Sequence, residues 1–542
     1  MFINFSDIPK NQNLFLDYMY EFENVKEYYK HNFRDKENYI HLFRNISESK
    51  KVKPFSLSPI IKEQYSGFSN PSETTTKNIE VIDNQNTIAI VTGQQLGILG
   101  GPLYTIYKIL TAVRLANQFN KKYDDFNFVP VFWLEGDDHD FNEVRSINIF
   151  DNENQVLNIG YKEEIEDDEA KQSVGKLLFD ESINDFLNKF DGSLRDSDYK
   201  NELVNKIKEC YQSGKSFKES FKELIFWLFD EYGLIIFDPQ DSQVKSLLKP
   251  VFKKEVNDFV THTQKLIQVS AKLEEVYHAQ VKVKPVNLFY HTDEGRYSVE
   301  PVEEIFKLRR KRKQFTKDEI IAEIENSPER FSPNVLLRPI CQDYLLPTGF
   351  YIGGPSEIAY FAQITPLYDF YNIVTPVIYP RSSVTLLEKN VGVALDKYDL
   401  TLNDIFLGLD GLKEKVISGL SENNIEKIFE ESLHEIDLTF DKLKENLFAI
   451  DKTLVDSSAR YRERVISSIN ELKSKAVKVQ ETKHETTIRQ LTRMSHLLYP
   501  LENLQEREIN FTYFYNKYGK SLINKIYEDI SVSEFEHQVI TI

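Results

Sequence analysis

From Asn84 to Tyr107 the chain runs through NQNTIAIVTGQQLGILGGPLYTIY without one charged side chain. Charged residues make up 28% of the 542, so a window of this length ordinarily holds about seven. A stretch like this must either cross a membrane or lie inside a large core. Gln94, Gln95, Pro102 and four glycines sit within it, and bilayer hydrocarbon would leave such polar and backbone groups unpaired. The segment is therefore expected inside a large core, with no membrane span.

Its internal pattern is strand, glycine-rich turn, helix. Thr87 to Val91 is a short apolar run with β-branched residues, suited to a strand covered on both faces, as in a parallel sheet. Gly93, Gly97, Gly100 and Gly101 follow, and then Leu103, Ile106, Leu110 and Val113 recur at helical spacing to about Asn120, with Pro102 placed as a first helical residue. A second charge-poor stretch, Tyr344 to Ser356, repeats the pattern. There the run Gly349 to Ile352 meets Gly353-Gly354 and then Pro355, ahead of a helix to about Tyr371. Both turns start a helix beside a strand end with no side chain in the way, leaving free N–H groups that favour an anion.

A further strand is expected over Phe128 to Trp133, with Pro130 acceptable at its start. It ends in Glu135-Gly136-Asp137-Asp138-His139-Asp140, a cluster placed where open α/β sheets bind ligands. Two chemistries fit it. Asp137, Asp138, His139 and Asp140 offer ligands for magnesium, manganese or zinc, although the other histidines are scattered. Alternatively His139 serves as a general acid or base oriented by Asp140 or Asp137. Arg338 and Arg381 lie in nearly uncharged surroundings, so each is expected to meet a carboxylate of the protein or of a ligand.

The remainder reads as follows. Residues 1–80 form a helical segment packed on the core, 81–150 its first part, 151–330 an insertion mixed with core elements, and 331–390 its second part. Within the insertion, residues 163–169 carry six acids in seven positions. A strand is expected at Gly233 to Phe237, and the basic run 309–313 is expected as a solvated helix face. Residues 391–542 form an α-helical domain with a coiled coil at about 424–498 and a tail. Apolar stripes through Ile436, Phe440, Leu443 and Leu447, and through Ile466, Ile469, Leu472 and Val479, point to a helical hairpin broken near Asp456-Ser457-Ser458. Its seam predicts a homodimer.

A net charge of −18 disfavours nucleic acid. Cys210 and Cys341, far apart, suit free thiols in a reducing compartment. The opening MFINFSDIPKNQNLF lacks the basic and apolar parts of a signal peptide, so a cytoplasmic location is expected. The P-loop, the dinucleotide fingerprint and the nucleophile elbow are absent.

Four blocks then converge. TGQQLGILGGPLYTIYKI, PVFWLEGDDHDFNEV, LRPICQDYLLPTGFYIGGPSEIAYFAQI and PVIYPRSSVTLLEK, in this order ahead of a long coiled coil, resemble the bacillithiol biosynthesis cysteine-adding enzymes, the cysteine ligases of that pathway's last step. The resemblance spans nearly the whole chain. It implies an α/β fold with a Rossmann-like core of the nucleotidyltransferase and class I synthetase type, interrupted by connecting-peptide insertions, plus a C-terminal α-helical coiled coil that dimerises. The implied reaction joins the carboxyl group of L-cysteine to the amine of glucosaminyl malate, forming bacillithiol. Class I synthetases carry a His-x-Gly-His element for ATP where this chain has Gly93-Gln94-Gln95-Leu96-Gly97, which leaves ATP or another nucleotide open as the activating agent and no cofactor assigned.

Under the resemblance, Asp137, His139 and Asp140 are expected to carry acid/base work. Gln94, Gln95, Gly97, Tyr104, Gln342, Glu357 and Tyr360 are expected at the substrate. Arg338 and Arg381 would meet the malate carboxylates. Gly100, Gly101, Gly353, Gly354 and Ser356 are expected to contact an anion or nucleotide. Two other classes fit the same residues: a metal-dependent hydrolase or deacetylase of an aminosugar conjugate, and a noncatalytic assembly protein built on the coiled coil.

Overall fold

The computed structural model describes residues 1–50, 55–162, 172–420 and 425–542. The acidic run at 163–169 and Asn424 lie outside the described residues. The chain forms two compact units, residues 1–386 with 504–542, and residues 387–503.

The first unit is built on five parallel strands. They are β1 (Thr87–Gln95), β2 (Asn127–Glu135), β3 (Ile235–Phe237), β4 (Thr348–Gly353) and β5 (Val377–Pro380). Their order across the sheet is β5-β4-β1-β2-β3, all pairs parallel. The order reverses between β1 and β4, and a doubly wound sheet opens a crevice at that switch, beyond the carboxyl ends of the strands. The strands are buried on both faces, which is why Thr87 to Gly93 and Phe128 to Leu134 tolerate no charge.

Three helices matter for the site: α1 (Tyr104–Lys122), α2 (Arg338–Leu345) and α3 (Pro355–Tyr371). Pro102 stands outside α1, in an isolated bridge to Asn510, whereas Pro355 does begin α3. Pro130 lies inside β2, a central strand. It is accommodated because β3 pairs only with Val131–Trp133, leaving that side of Pro130 without a partner strand.

The N-terminal helices cover the sheet. Tyr18 donates to Ile378 O of β5 at 2.5 Å. Phe43 packs edge-on to Phe128, with Phe119 and Phe350 alongside. Between β3 and β4 the chain inserts a five-stranded antiparallel sheet from residues 288–292, 295–302, 305–308, 314–316 and 331–333. The basic run at 309–313 is the exposed turn of a hairpin in this sheet rather than a helix face. Lys311 N–H donates to Leu308 O and closes it.

In the second unit, α4 (Ile425–Ile450) and α5 (Thr453–Lys483) form an antiparallel hairpin clamped by Arg462 Nε on Asp437 Oδ1 at 2.9 Å. The break falls at Asp451-Lys452, ahead of the expected Asp456-Ser457-Ser458. Asp451 accepts from Thr453 N–H at 2.8 Å and so caps α5, leaving the later trio inside the helix. Residues 504–542 belong with the first unit, and their strand His537–Thr541 pairs with Phe2–Ile3. Both cysteines are buried and unpaired. No helix among the described residues is long and apolar enough to cross a membrane.

Candidate active site

A cavity of about 550 Å³ opens at the β1/β4 switch. Its floor is the ends of β1, β2 and β4, and one wall is the inserted sheet. Of the expected site residues, Gln94, Gln95, Tyr104, His139, Arg338, Gly354, Ser356, Glu357, Tyr360 and Arg381 line it.

Its centre is a buried ion pair. Lys108 reaches from α1 to Glu357 at the start of α3, Nζ to Oε2 2.5 Å, and also donates to Gly93 O at 2.9 Å and Gln94 Oε1 at 3.0 Å. Glu357 further accepts from Gly354 N–H at 2.8 Å and from Tyr351 OH at 2.5 Å. Burial pushes this carboxyl up, yet Lys108 and the Gly354 N–H outweigh it and hold Glu357 below its ordinary value. Gln94 is fixed from its other side, donating to Tyr104 OH at 3.2 Å.

Arg338 lies beside this pair. It donates to Tyr360 OH at 2.7 Å, Tyr351 OH at 3.1 Å and Gln342 Oε1 at 3.0 Å. Gln342 thus stands behind Arg338 and does not face the cavity. Arg381 sits over the Tyr104 ring, 5.5 Å from its centroid, and is bound to Glu506 Oε1 at 2.6 Å. Both arginines expected to meet a ligand carboxylate are therefore engaged by the protein. Arg507, beside them in the lining, forms no ion pair or side-chain hydrogen bond among the described residues. Burial and the neighbouring Arg381 charge both lower its pKa.

The acidic cluster divides in two. Asp137 turns away into a buried network, with Lys245 Nζ at 2.7 Å and Gln240 Nε2 at 3.0 Å. Burial alone would raise its pKa, but Lys245, His291 and Arg296 keep Asp137 ionised far into acid. Asp140 caps the short helix Phe141–Val144 through Asn142 N–H and Glu143 N–H. Neither lines the cavity, in contrast to the expectation for both. Asp138 does, accepting from Gln95 and from His139 N–H. His139 also lines it, with Arg296 NH1 at 3.4 Å from Nδ1. Arg296 is itself stacked on Phe289 at 3.8 Å and donates to Ser332 Oγ and Pro333 O.

The two glycine turns, alike in sequence, differ in use. Gly100 and Gly101 adopt positive φ, +82° and +70°, and are buried away from the cavity. Asn510 fills their turn, donating to Leu99 O at 2.9 Å and Gly101 O at 2.5 Å. A methyl group on Gly97 would stand 2.8 Å from Gly101 Cα, so Gly97 serves close packing. Gly353 likewise lies off the cavity, whereas Gly354 and Ser356 face it. The anion role expected of Gly100 and Gly101 thus has no free N–H groups to act through, since both donate within the turn, and Gly97, expected at the substrate, lies off the cavity.

Sequence reasoning assigned no role to Glu135, Lys108, Lys282, Lys284, Arg296 or Arg507, all in the lining. Glu135 carried a signal, as the first member of the acidic cluster. Lys108 is the first charge after the uncharged window. Arg507 had none, because only folding returns the tail to the sheet. Among the described residues no group of three or more His, Cys, Asp or Glu side chains is arranged to hold a metal ion.

Comparison with known proteins agrees with this architecture. Residues 1–382 match the family described as bacillithiol biosynthesis BshC, N-terminal Rossmann-like domain, and residues 384–542 match the BshC C-terminal coiled-coil domain. Similar proteins include one from Salinibacter ruber, 35% identical over 86% of this chain and 85% of its own. Another, from Chloroherpeton thalassium, is 32% identical over 95% and 93%, and one from Chlorobaculum tepidum is 33% identical over 91% and 89%. Each bears the name "Putative cysteine ligase BshC". With its Rossmann-like core, its coiled coil and matches that run from end to end, the chain belongs to the bacillithiol biosynthesis BshC family of ligases.

Proposed function

We propose that the protein joins the carboxyl group of L-cysteine to the amine of glucosaminyl malate, forming the amide of bacillithiol. The observation that carries the reading is the chemistry of the cavity lining. The lining carries cations, among them Arg507, Lys282 and Lys284, suited to the malate carboxylates. It also carries hydrogen-bonding groups, Gln94, Tyr104 and Glu357, suited to an aminosugar and to the amino acid. A pocket with polar groups converging on a sheet switch point is the expected site for small-molecule chemistry in such a fold.

In this reading Gln94, Gln95, Tyr104 and Tyr360 contact substrate, and His139 orients or shuttles a proton beside Asp138. Arg338 and Arg381 shape the wall while Arg507 meets malate. Asp137 and Asp140 support the loop that presents His139. The hairpin of the second unit mediates homodimerisation.

The test is incubation of the purified full-length protein with cysteine and glucosaminyl malate, with and without ATP, followed by mass detection of the thiol. Product in either condition is the expected result. Absence of product in both, with folded protein, refutes the assignment. His139→Ala and Gln94→Ala are each expected to lower product formation.

A further inference from the structure

Three carboxylates line the cavity among the described residues, Glu135, Asp138 and Glu357. Two are committed. Asp138 accepts from Gln95 and two backbone N–H groups, and Glu357 accepts from Lys108, Gly354 N–H and Tyr351. Glu135, at the end of β2, is different. Its Oε2 is buried with no hydrogen-bond donor, and Arg338 Nε stands 3.7 Å away, beyond hydrogen-bond length. An acceptor shut off from water without a donor is costly to hold, and this one sits in a cavity wall rather than in packed core.

We propose that Glu135 is the catalytic residue that takes the proton from the substrate amine as it is acylated. The inference rests on the ligase reading above and names the acceptor of the amine proton, which that reading leaves unassigned. The Glu135 side chain is 23% exposed, so a turn of its carboxyl lets a substrate ammonium supply the donor that Oε2 is missing.

The step balances as follows. The ammonium gives one proton to Glu135, and the freed lone pair forms the C–N bond to the carbonyl carbon of an activated cysteinyl ester or acyl phosphate. The bond from that carbon to the activating oxygen breaks, its electron pair leaving on the oxygen. The second amine proton passes to water. Glu135 is faced by Arg338 from α2, Arg296 from the inserted sheet, and Asp137 and Asp138 from its own loop. Burial is the largest influence and, with Arg338 opposing it, brings the carboxyl up to about 7, a value matched to a base working near neutrality.

Two measurements on the full chain test this. First, calorimetry compares binding of glucosaminyl malate with its N-acetyl counterpart, which has no ammonium. The wild type is expected to prefer the free amine by tenfold or more at pH 7.5. The preference should vanish in Glu135→Gln, and an unchanged preference in the variant overturns the proposal. Second, in turnover, the wild-type kcat/KM is expected to fall tenfold per pH unit below about 7. Glu135→Gln should lose at least 100-fold in kcat with KM for cysteine unchanged, and Glu135→Asp should recover part of it. A variant that keeps kcat, or one that raises only KM for cysteine, overturns the base role. A thermal melt of each variant controls for folding. Wild-type protein that binds neither sugar and forms no thiol refutes the ligase reading itself, whereas activity that survives Glu135→Gln refutes only the role of Glu135.

Discussion

Lys108 Nζ lies 2.5 Å from Glu357 Oε2, and this contact ties together the two strand–turn–helix units that flank the sheet switch. Lys108 comes from the helix after β1 and Glu357 from the helix after β4. The pair also fixes Gly93 O and Gln94, so the cavity floor is one hydrogen-bonded piece.

Removing one partner of a buried pair strands the other charge, which costs about 3–5 kcal/mol. Lys108→Met should therefore destabilise the protein by about 3 kcal/mol, with Gly354 N–H and Tyr351 still serving Glu357. Urea denaturation followed by circular dichroism measures this. A loss under about 1 kcal/mol would show that the pair is not a structural tie.

Acid should weaken the first unit through its buried histidines. His537, between Ser383 and Thr385, is held down by burial at about 4, and His291 at about 3. Both titrate near 6.5 when unfolded. The unfolded chain therefore binds more protons at pH 5, and stability falls as pH drops from about 7 toward 4. The melting temperature should decline over that range. His537→Asn should flatten the decline, and an equal slope in the variant would count against it.

Gly97 tests the packing of the first turn. Its added methyl group would meet Gly101 Cα at 2.8 Å, and backbone offers no flexible side chain to move aside. Gly97→Ala should cost about 1–3 kcal/mol by overpacking, read from the same denaturation experiment. A neutral result would mean that the turn relaxes freely.

Arg507 tests recognition of the malate arm. Arg507→Ala should raise KM for glucosaminyl malate by tenfold or more, about 1.4 kcal/mol, with KM for cysteine unchanged. Arg507→Lys should recover only part of it, since a lysine cannot form the bidentate contact. Equal changes in both KM values would place Arg507 elsewhere in the reaction.

The hairpin leaves Leu443 at 45% and Leu472 at 56% exposure in the single chain. Glutamate at both positions should convert a homodimer to monomer in light scattering while leaving helix content unchanged. A wild-type protein that is monomeric at micromolar concentration would remove the dimer proposal.

Much of the fold was legible because parallel strands buried on both faces must be apolar and uncharged. Thr87 to Val91, Phe128 to Trp133 and Gly349 to Ile352 each lie within a central strand. The hairpin showed through its apolar stripes, although its break moved to Asp451 because a single cap outweighs a distant cluster of capping residues. The two Gly-Gly-Pro turns could not be told apart locally. What separates them is Asn510, which fills one and leaves the other facing the cavity.

The sequence by itself determined where charge is excluded, and hence the strands, their class of sheet and the family. Only the tertiary structure decided which polar groups meet there. Asp137 and Asp138 are adjacent in sequence, yet one turns to Lys245 and the other to the cavity, because successive residues of an extended loop project to different sides. Arg381 was spent on Glu506, and Arg507 was delivered in its place by a tail that rejoins the sheet after the coiled coil. Periodicity records which side chains are buried. Which partner meets each buried charge depends on segments distant in sequence, and only the packed fold brings them together.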